Sequence, residues 1–180
     1  MRPAYDPLRN PEPLIQRVHA YVTYRLGAGP EAEDVTSTTF ERAVRYRASY
    51  DPRRGEPIAW LIGIASRCVR DSLATRTEAG EPPLEALASG DLAEDTVRRL
   101  TLRRALARLG ERDRELIALR YGADLSTRRI ASLLGGSTNA VDVALHRALA
   151  RLRAELERGD VLPAVAQPPQ DDVRDVRVAG

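Results

Sequence analysis

The sequence predicts an all-α protein made of two small helical domains that are joined by a flexible acidic linker. Apolar residues make up 43% of the 180 residues but aromatic residues only 4%, so leucine, alanine and valine must fill the core, which favours helices over sheet. Charge is divided along the chain: segment 77–95 has six acidic residues and no basic one, whereas segment 96–158 has 14 arginines and seven acidic residues. Apolar residues also recur at helical spacing, and the clearest stripe is Val141, Leu145, Leu149, Leu152 and Leu156.

The first domain is expected over residues 14–76, after a disordered arm at 1–13. It should contain three helices: one over 14–26, one that starts at Pro30 and one that starts at Pro57, because proline is favoured at the first helical position. A turn-rich loop separates the last two. The residues expected on the buried sides are Leu14, Val18, Tyr21 and Val22 in the first helix, Phe40, Ala43 and Val44 in the second, and Ile58, Leu61, Ile64, Ala65, Val69 and Leu73 in the third.

The second predicted helix also carries a separate polar face. Asp34, Thr38, Glu41 and Arg45 recur at i, i+4, i+7 and i+11, so they share one side of the helix. The acidic residues near the helix start also suit its dipole, which would explain them without any function.

The second domain is expected over residues 96–158, after the linker at 77–95 and before a disordered tail at 159–180. Helices are predicted at 96–109, 113–121 and 126–134, and the last of these should end at Gly135-Gly136. Ser137 should then cap a second helix, which completes a helix-turn-helix whose second helix can enter a DNA major groove. An αα-hairpin without DNA binding is the alternative, and the surrounding arginines favour DNA: Arg128, Arg129, Arg147, Arg151 and Arg153.

Composition excludes several other classes of protein. The chain contains no lysine, so all 28 basic residues are arginines, which bind phosphates and guanines in a bidentate manner, although codon bias would also explain this composition. The single cysteine, Cys68, cannot form an internal disulfide, which fits a cytoplasmic protein. No apolar run is long enough to span a membrane. His19 and His146 have no metal-ligand spacing, so we expect no metal, no cofactor and no catalytic activity.

Three segments in a fixed order resemble a known family. They are AEDVTSTTFERAV at 32–44, AWLIGIASRCVRDSL at 59–73 and LRRALARLGERDRELIALRYGADLSTRRIASLLGGSTNAVDVALHRALARLR at 102–153. This order is similar to the extracytoplasmic-function (ECF) class of the sigma-70 family, the promoter-recognition subunits of bacterial RNA polymerase. The resemblance covers about residues 14–156.

The resemblance implies partners and roles. The partners would be core RNA polymerase, promoter DNA and an anti-sigma factor. Polymerase would be bound by a docking face made of Asp34, Thr38, Arg42 and Arg45. The downstream promoter element would be melted and captured by Arg53, Arg54, Arg67 and Arg70. The upstream element would be read as duplex by Arg128, Arg129, Ser137, Thr138, Asn139, Asp142 and Arg147.

The chain also departs from the family pattern. Ser37-Thr38 stands where the family often has Gln-Glu, Gly110 where it commonly has proline, and Asp142 and Ala144 where it often has basic residues. Asp142 cannot contact phosphate favourably, but a carboxylate can accept a hydrogen bond from cytosine N4. The alternative functions are an autonomous helix-turn-helix regulator with a helical effector domain and an enzyme that acts on nucleic acid.

Overall fold

Every regular element in the described part of the chain is helical, which confirms the all-α prediction. The computed structural model describes residues 6–79 and 94–160, so residues 1–5, 80–93 and 161–180 of the predicted arm, linker and tail lie outside it. The helices are α1 (Pro11–Leu26), α2 (Pro30–Arg45), α3 (Pro57–Ala79), α4 (Glu94–Arg108), α5 (Glu111–Ile117), α6 (Thr127–Leu134) and α7 (Thr138–Asp160).

Several helices are longer than predicted. Helix α1 begins at Pro11, inside the predicted arm, because proline fits the first turn of a helix, where its missing N–H has no partner to lose. Helix α3 continues to Ala79 and α4 begins at Glu94, so both ends of the predicted 77–95 linker are helical.

Helices α1, α2 and α3 pack against one another around buried aliphatic side chains. The prediction that Val44 is buried is wrong, since its side chain is 61% exposed. Helix α2 instead buries Thr36 and Thr39, whose hydroxyls donate to the carbonyls of Ala32 and Val35 at 2.7 Å. These local hydrogen bonds remove the cost of placing two hydroxyls in the core.

Helices α4, α5 and α6 all pack on α7. The predicted helix at 113–121 is an α-helix only to Ile117 and then continues as one π-helical turn, Ala118–Gly122, referred to below as the 118–122 turn. Arg114 holds α4 against α5, because its guanidinium donates to the carbonyls of Leu106, Ala107 and Leu109 at 2.6–3.0 Å. Leu106 and Ala107 lie in the last turn of α4, where helix carbonyls lack their full set of backbone partners, and Leu109 follows the helix end. Burial lowers the pKa of Arg114.

The helix-turn-helix forms as predicted. The Ser126 hydroxyl accepts a hydrogen bond from the Arg129 amide, Gly135 ends α6 with a left-handed φ of 71°, and the Ser137 hydroxyl accepts from the Ala140 amide. Leu133 and Leu134 are 36% and 49% exposed, whereas Ile130 in the same helix is buried.

The two halves of the chain share one buried core. Helix α1 packs more extensively on the 118–122 turn than on α2 or α3. Gly122 lies so close to α1 that a Cβ atom added there would be 2.8 Å from the Tyr21 Cα. Real Cβ contacts are not this short, so this position accepts only glycine while the two halves are packed together.

Candidate nucleic-acid interface

The predicted docking face lies on the outer side of α2. Asp34 and Arg45 are exposed and Thr38 is half-buried. Arg42 is turned toward α3, where it donates to Asp71 at 3.1 Å, and this hydrogen bond raises the pKa of Arg42. Asp34, Thr38 and Arg45 therefore form the accessible part of the face, whereas Arg42 also ties α2 to α3.

The loop at 51–56, which carries Arg53 and Arg54, is held in a defined shape. Tyr50 donates to the Gly55 carbonyl at 2.7 Å, and its ring lies 5.6 Å from that of Trp60 in an edge-on arrangement. Gly55 has a φ of 142°, a backbone conformation that other residues rarely adopt. Both arginine side chains are exposed. The Tyr50 contacts therefore fix the shape of a loop that carries two exposed arginines, Arg53 and Arg54.

The other two predicted downstream contacts lie elsewhere. Arg67 and Arg70 are exposed on α3, ten and thirteen residues beyond Pro57. At 1.5 Å per residue this is roughly 15–20 Å along the helix axis from the loop. Arg67 and Arg70 therefore do not form a compact cluster with Arg53 and Arg54.

The start of α7 presents the predicted duplex contacts to solvent. Thr138, Asn139, Asp142 and Arg147 are all exposed, and no described residue is within ion-pair distance of Asp142. Ser137 is exposed as well, although its hydroxyl already caps the helix. Arg128 is exposed on α6. These exposed side chains are of the types that make base-edge and phosphate contacts in protein–DNA complexes.

Comparison with known proteins identifies both halves of the chain. Residues 12–78 match the family model for Sigma-70 region 2, and residues 99–152 match the model for Sigma-70, region 4. The RNA polymerase sigma factor CarQ of Myxococcus xanthus is 31% identical over 146 residues, which cover 76% of this chain and 81% of CarQ. The chain belongs to the sigma-70 family.

Other relatives place this sigma-70 chain in the ECF class, as the sequence predicted. The ECF RNA polymerase sigma factor BldN of Streptomyces coelicolor is 30% identical over 143 residues, which cover 75% of this chain. The match spans only about half of BldN, 54% of its length. The sigma factor RpoE of Bartonella quintana, solved in complex with the anti-sigma factor NepR, has the same fold with a TM-score of 0.68 at 19% identity, over 81% of this chain and 93% of RpoE. No helix in the described parts of the sigma-70 chain is long and apolar enough to cross a membrane.

One predicted DNA contact of region 4 is engaged with region 2. Arg129 on α6 donates to the Arg54 carbonyl at 3.3 Å, and its guanidinium lies directly over the Cα of Gly55. Between the loop and α6 is a cleft of about 360 Å³ whose lining includes Tyr50, Trp60 and Ser132. Arg129 and the 51–56 loop therefore face each other.

A cluster of polar residues joins α1 to α5, and the sequence did not reveal it. Arg25, only 5% exposed, forms ion pairs with Glu111, at 2.6 Å, and with Glu115. Tyr21, fully buried, donates to Glu115 at 2.9 Å, and burial raises the pKa of its hydroxyl. Arg17 donates to the carbonyls of Ala123 and Asp124 at 2.8 and 2.9 Å. These residues connect regions 2 and 4.

Proposed function

We propose that this chain is an ECF sigma factor that binds core RNA polymerase and directs promoter-specific initiation. Region 2 would dock on polymerase through Asp34, Thr38, Arg42 and Arg45, and would melt and capture the downstream element. Region 4 would read the upstream element as duplex. The observation that carries the proposal is the pair of family matches in the correct order on a fold that leaves both the docking face and the start of α7 accessible.

An autonomous helix-turn-helix regulator is disfavoured, because such a protein has no need of region 2. The chain would have no catalytic activity of its own and would act in the cytoplasm, where polymerase transcribes. RpoE of Bartonella quintana was solved with an anti-sigma factor, and we expect a comparable partner to restrain this chain.

The direct test is run-off transcription of genomic fragments with core polymerase and the full-length protein. Specific transcripts should appear only when both are present. If the protein binds duplex promoters with nanomolar affinity and core polymerase adds no transcript, the regulator alternative is correct.

The docking face is tested by the double charge reversal Asp34→Arg with Arg45→Glu, which keeps the net charge constant. Core binding in a pull-down should weaken roughly tenfold, since misplaced charges at an interface are repulsive. The matched control is Arg9→Glu with Glu12→Arg, two exposed residues near the start of α1. Equal core binding by both double variants, with unchanged circular dichroism, would show that α2 is not the docking helix.

A further inference from the structure

Two adjacent residues, Tyr50 and Asp51, hold the 51–56 loop in shape, and neither is among the predicted DNA contacts. An Asp51 carboxylate oxygen accepts a hydrogen bond from the Arg53 amide at 3.0 Å, and the Asp51 carbonyl accepts one from the Arg54 amide at 3.0 Å. An aspartate that pairs in this way with the backbone two residues on stabilises a turn. The amides of both arginines are therefore used within the loop, and their exposed side chains are the cationic groups that it presents.

Tyr50 fixes the other end of the same loop. Its hydroxyl donates to the Gly55 carbonyl at 2.7 Å, and its ring lies at 62° to that of Trp60, with 5.6 Å between the ring centroids. Trp60 belongs to α3, so the body of region 2 holds the tyrosine ring and the ring places the hydroxyl. Gly55 has a φ of 142°, one of many conformations open to glycine, so the hydrogen bond selects one orientation of a flexible residue.

We propose that Tyr50 and Asp51 are positioning residues for strand capture: without touching DNA, they hold the loop in the conformation from which its two arginines bind the separated strand. An arginine on a backbone that is already ordered loses less conformational freedom when it binds, so the shape of the loop increases its affinity. This matters for a separated strand and not for a closed duplex, because a base inside an intact duplex cannot enter a protein site. The proposal rests on the proposed function in assigning strand capture to the loop, whereas every contact that it uses lies within region 2.

The shape of the loop is measured on the full-length protein alone. Trp60 is the only tryptophan of the chain, so its fluorescence reports on this site. Tyr50→Phe removes the hydroxyl and keeps the ring against Trp60, and quenching by acrylamide, a neutral molecule, should increase because the loop beside Trp60 loosens. Tyr46→Phe is the matched control, since Tyr46 is 53% exposed, and should leave quenching unchanged. Equal quenching of the wild-type protein and Tyr50→Phe would overturn the role of the hydroxyl.

Strand capture is measured with the holoenzyme, formed from core polymerase and the full-length protein. Tyr50→Phe should weaken binding to a pre-melted promoter about fivefold, the change that corresponds to one hydrogen bond, and should slow the appearance of permanganate-reactive bases on a linear promoter. Binding to the closed duplex, measured by gel shift at low temperature, should match that of the wild-type protein. An equal loss on the duplex and on the pre-melted template would show that the hydroxyl supports the fold in general and does not position the loop.

Asp51 is tested by a pair of substitutions that remove the same charge. Asp51→Asn keeps an oxygen that can accept a hydrogen bond from the Arg53 amide, whereas Asp51→Ala does not. Asp51→Ala should therefore bind the pre-melted promoter about fivefold more weakly than Asp51→Asn, with circular dichroism unchanged in both. Equal binding by the two variants would show that Asp51 acts only through its charge, and would overturn its positioning role.

The result with the wild-type protein separates a failure of the positioning roles from a failure of the proposed function. If the wild-type holoenzyme gives no specific run-off transcript, the proposed function is wrong, and strand capture by the loop is wrong with it. If transcripts appear but Tyr50→Phe and Asp51→Ala open the promoter at the wild-type rate, the proposed function stands and the positioning roles do not.

Discussion

Asp142 is an acidic residue at a position of the recognition helix where the family often has a basic one. Its carboxylate is exposed near the start of α7, among residues predicted to read the upstream element. There it repels phosphate but can accept a hydrogen bond from cytosine N4. Asp142→Ala should raise non-specific affinity for duplex DNA and change the preference at one upstream base pair by about 1–3 kcal/mol.

The matched control is Glu157→Ala, which removes the same charge from an exposed position later in α7. It should raise non-specific affinity without changing base preference, because fifteen residues of helix separate it from Asp142 by about 22 Å. Binding to a set of single-base promoter variants distinguishes the two. The same change in base preference for both substitutions would rule out direct reading by Asp142.

Tyr21 makes stability depend on pH in the alkaline range. Burial raises its pKa above the ordinary value of 10.0. Between these two pKa values the unfolded chain has lost the phenolic proton and the folded chain still holds it, so the free energy of unfolding falls as pH rises. Tyr21→Phe should cost about 1 kcal/mol at neutral pH, through the lost hydrogen bond to Glu115, and should show a shallower decline above pH 10.

Urea unfolding from pH 7 to 11 measures this effect, roughly spanning the range in which tyrosine titrates. The control is Tyr46→Phe, since Tyr46 is 53% exposed. An identical alkaline slope for the wild-type protein and Tyr21→Phe would show that the Tyr21 proton is not retained on folding.

At the scale of single elements, Gly135 and Gly136 provide a matched pair in the turn of the helix-turn-helix. Gly135 has a left-handed φ of 71°, whereas a Cβ atom at Gly136 meets nothing within 4 Å and its φ is not positive. Gly135→Ala should lower the free energy of unfolding by about 1 kcal/mol, and Gly136→Ala should change it little. Urea unfolding of both variants measures the difference. A larger loss for Gly136→Ala would contradict the assignment of Gly135 as the helix-ending residue.

The elements that the sequence predicted well are those whose signals are local. Gly135 ends α6 and Ser137 caps α7 through groups within four residues, so their residue types alone indicated these boundaries. Burial was less predictable. Helical spacing grouped Val44 with Ala43, but the core side of α2 uses Thr36 and Thr39, whose hydroxyls are satisfied by their own helix. Spacing alone cannot distinguish an apolar residue at the edge of a stripe from one at its centre.

At the scale of the whole molecule, the packing of region 2 on region 4 could not be predicted. Arg25 and Glu111 are 86 residues apart, and nothing near either one indicates its partner. The requirement for glycine at position 122 could not be predicted either, because it arises from the close backbone of another helix, α1. The docking and DNA-contact residues came from family resemblance, and their roles stay predictions.

The packing of the two regions predicts how the protein behaves after one cut. Segment 80–93 contains Glu85, which is followed by alanine, and no arginine, so a glutamate-specific protease can cleave there and trypsin cannot. Limited cleavage should give two fragments that still elute together on gel filtration, because the shared core joins α1 to the 118–122 turn. The same fragments of Gly122→Ala should elute separately. Separate elution of the wild-type fragments would show that the linker, and not the interface, keeps the regions together.

The close approach of Gly122 to Tyr21 should also affect how fast the protein engages DNA. If DNA engages only chains whose two regions have already separated, the observed association rate rises with DNA concentration until it equals the rate of separation, and then stays constant. Motions of whole domains typically take microseconds to milliseconds, roughly the range that stopped-flow and relaxation methods cover. Above that concentration, supplying more promoter would not speed up engagement, whereas one added methyl group at residue 122 would.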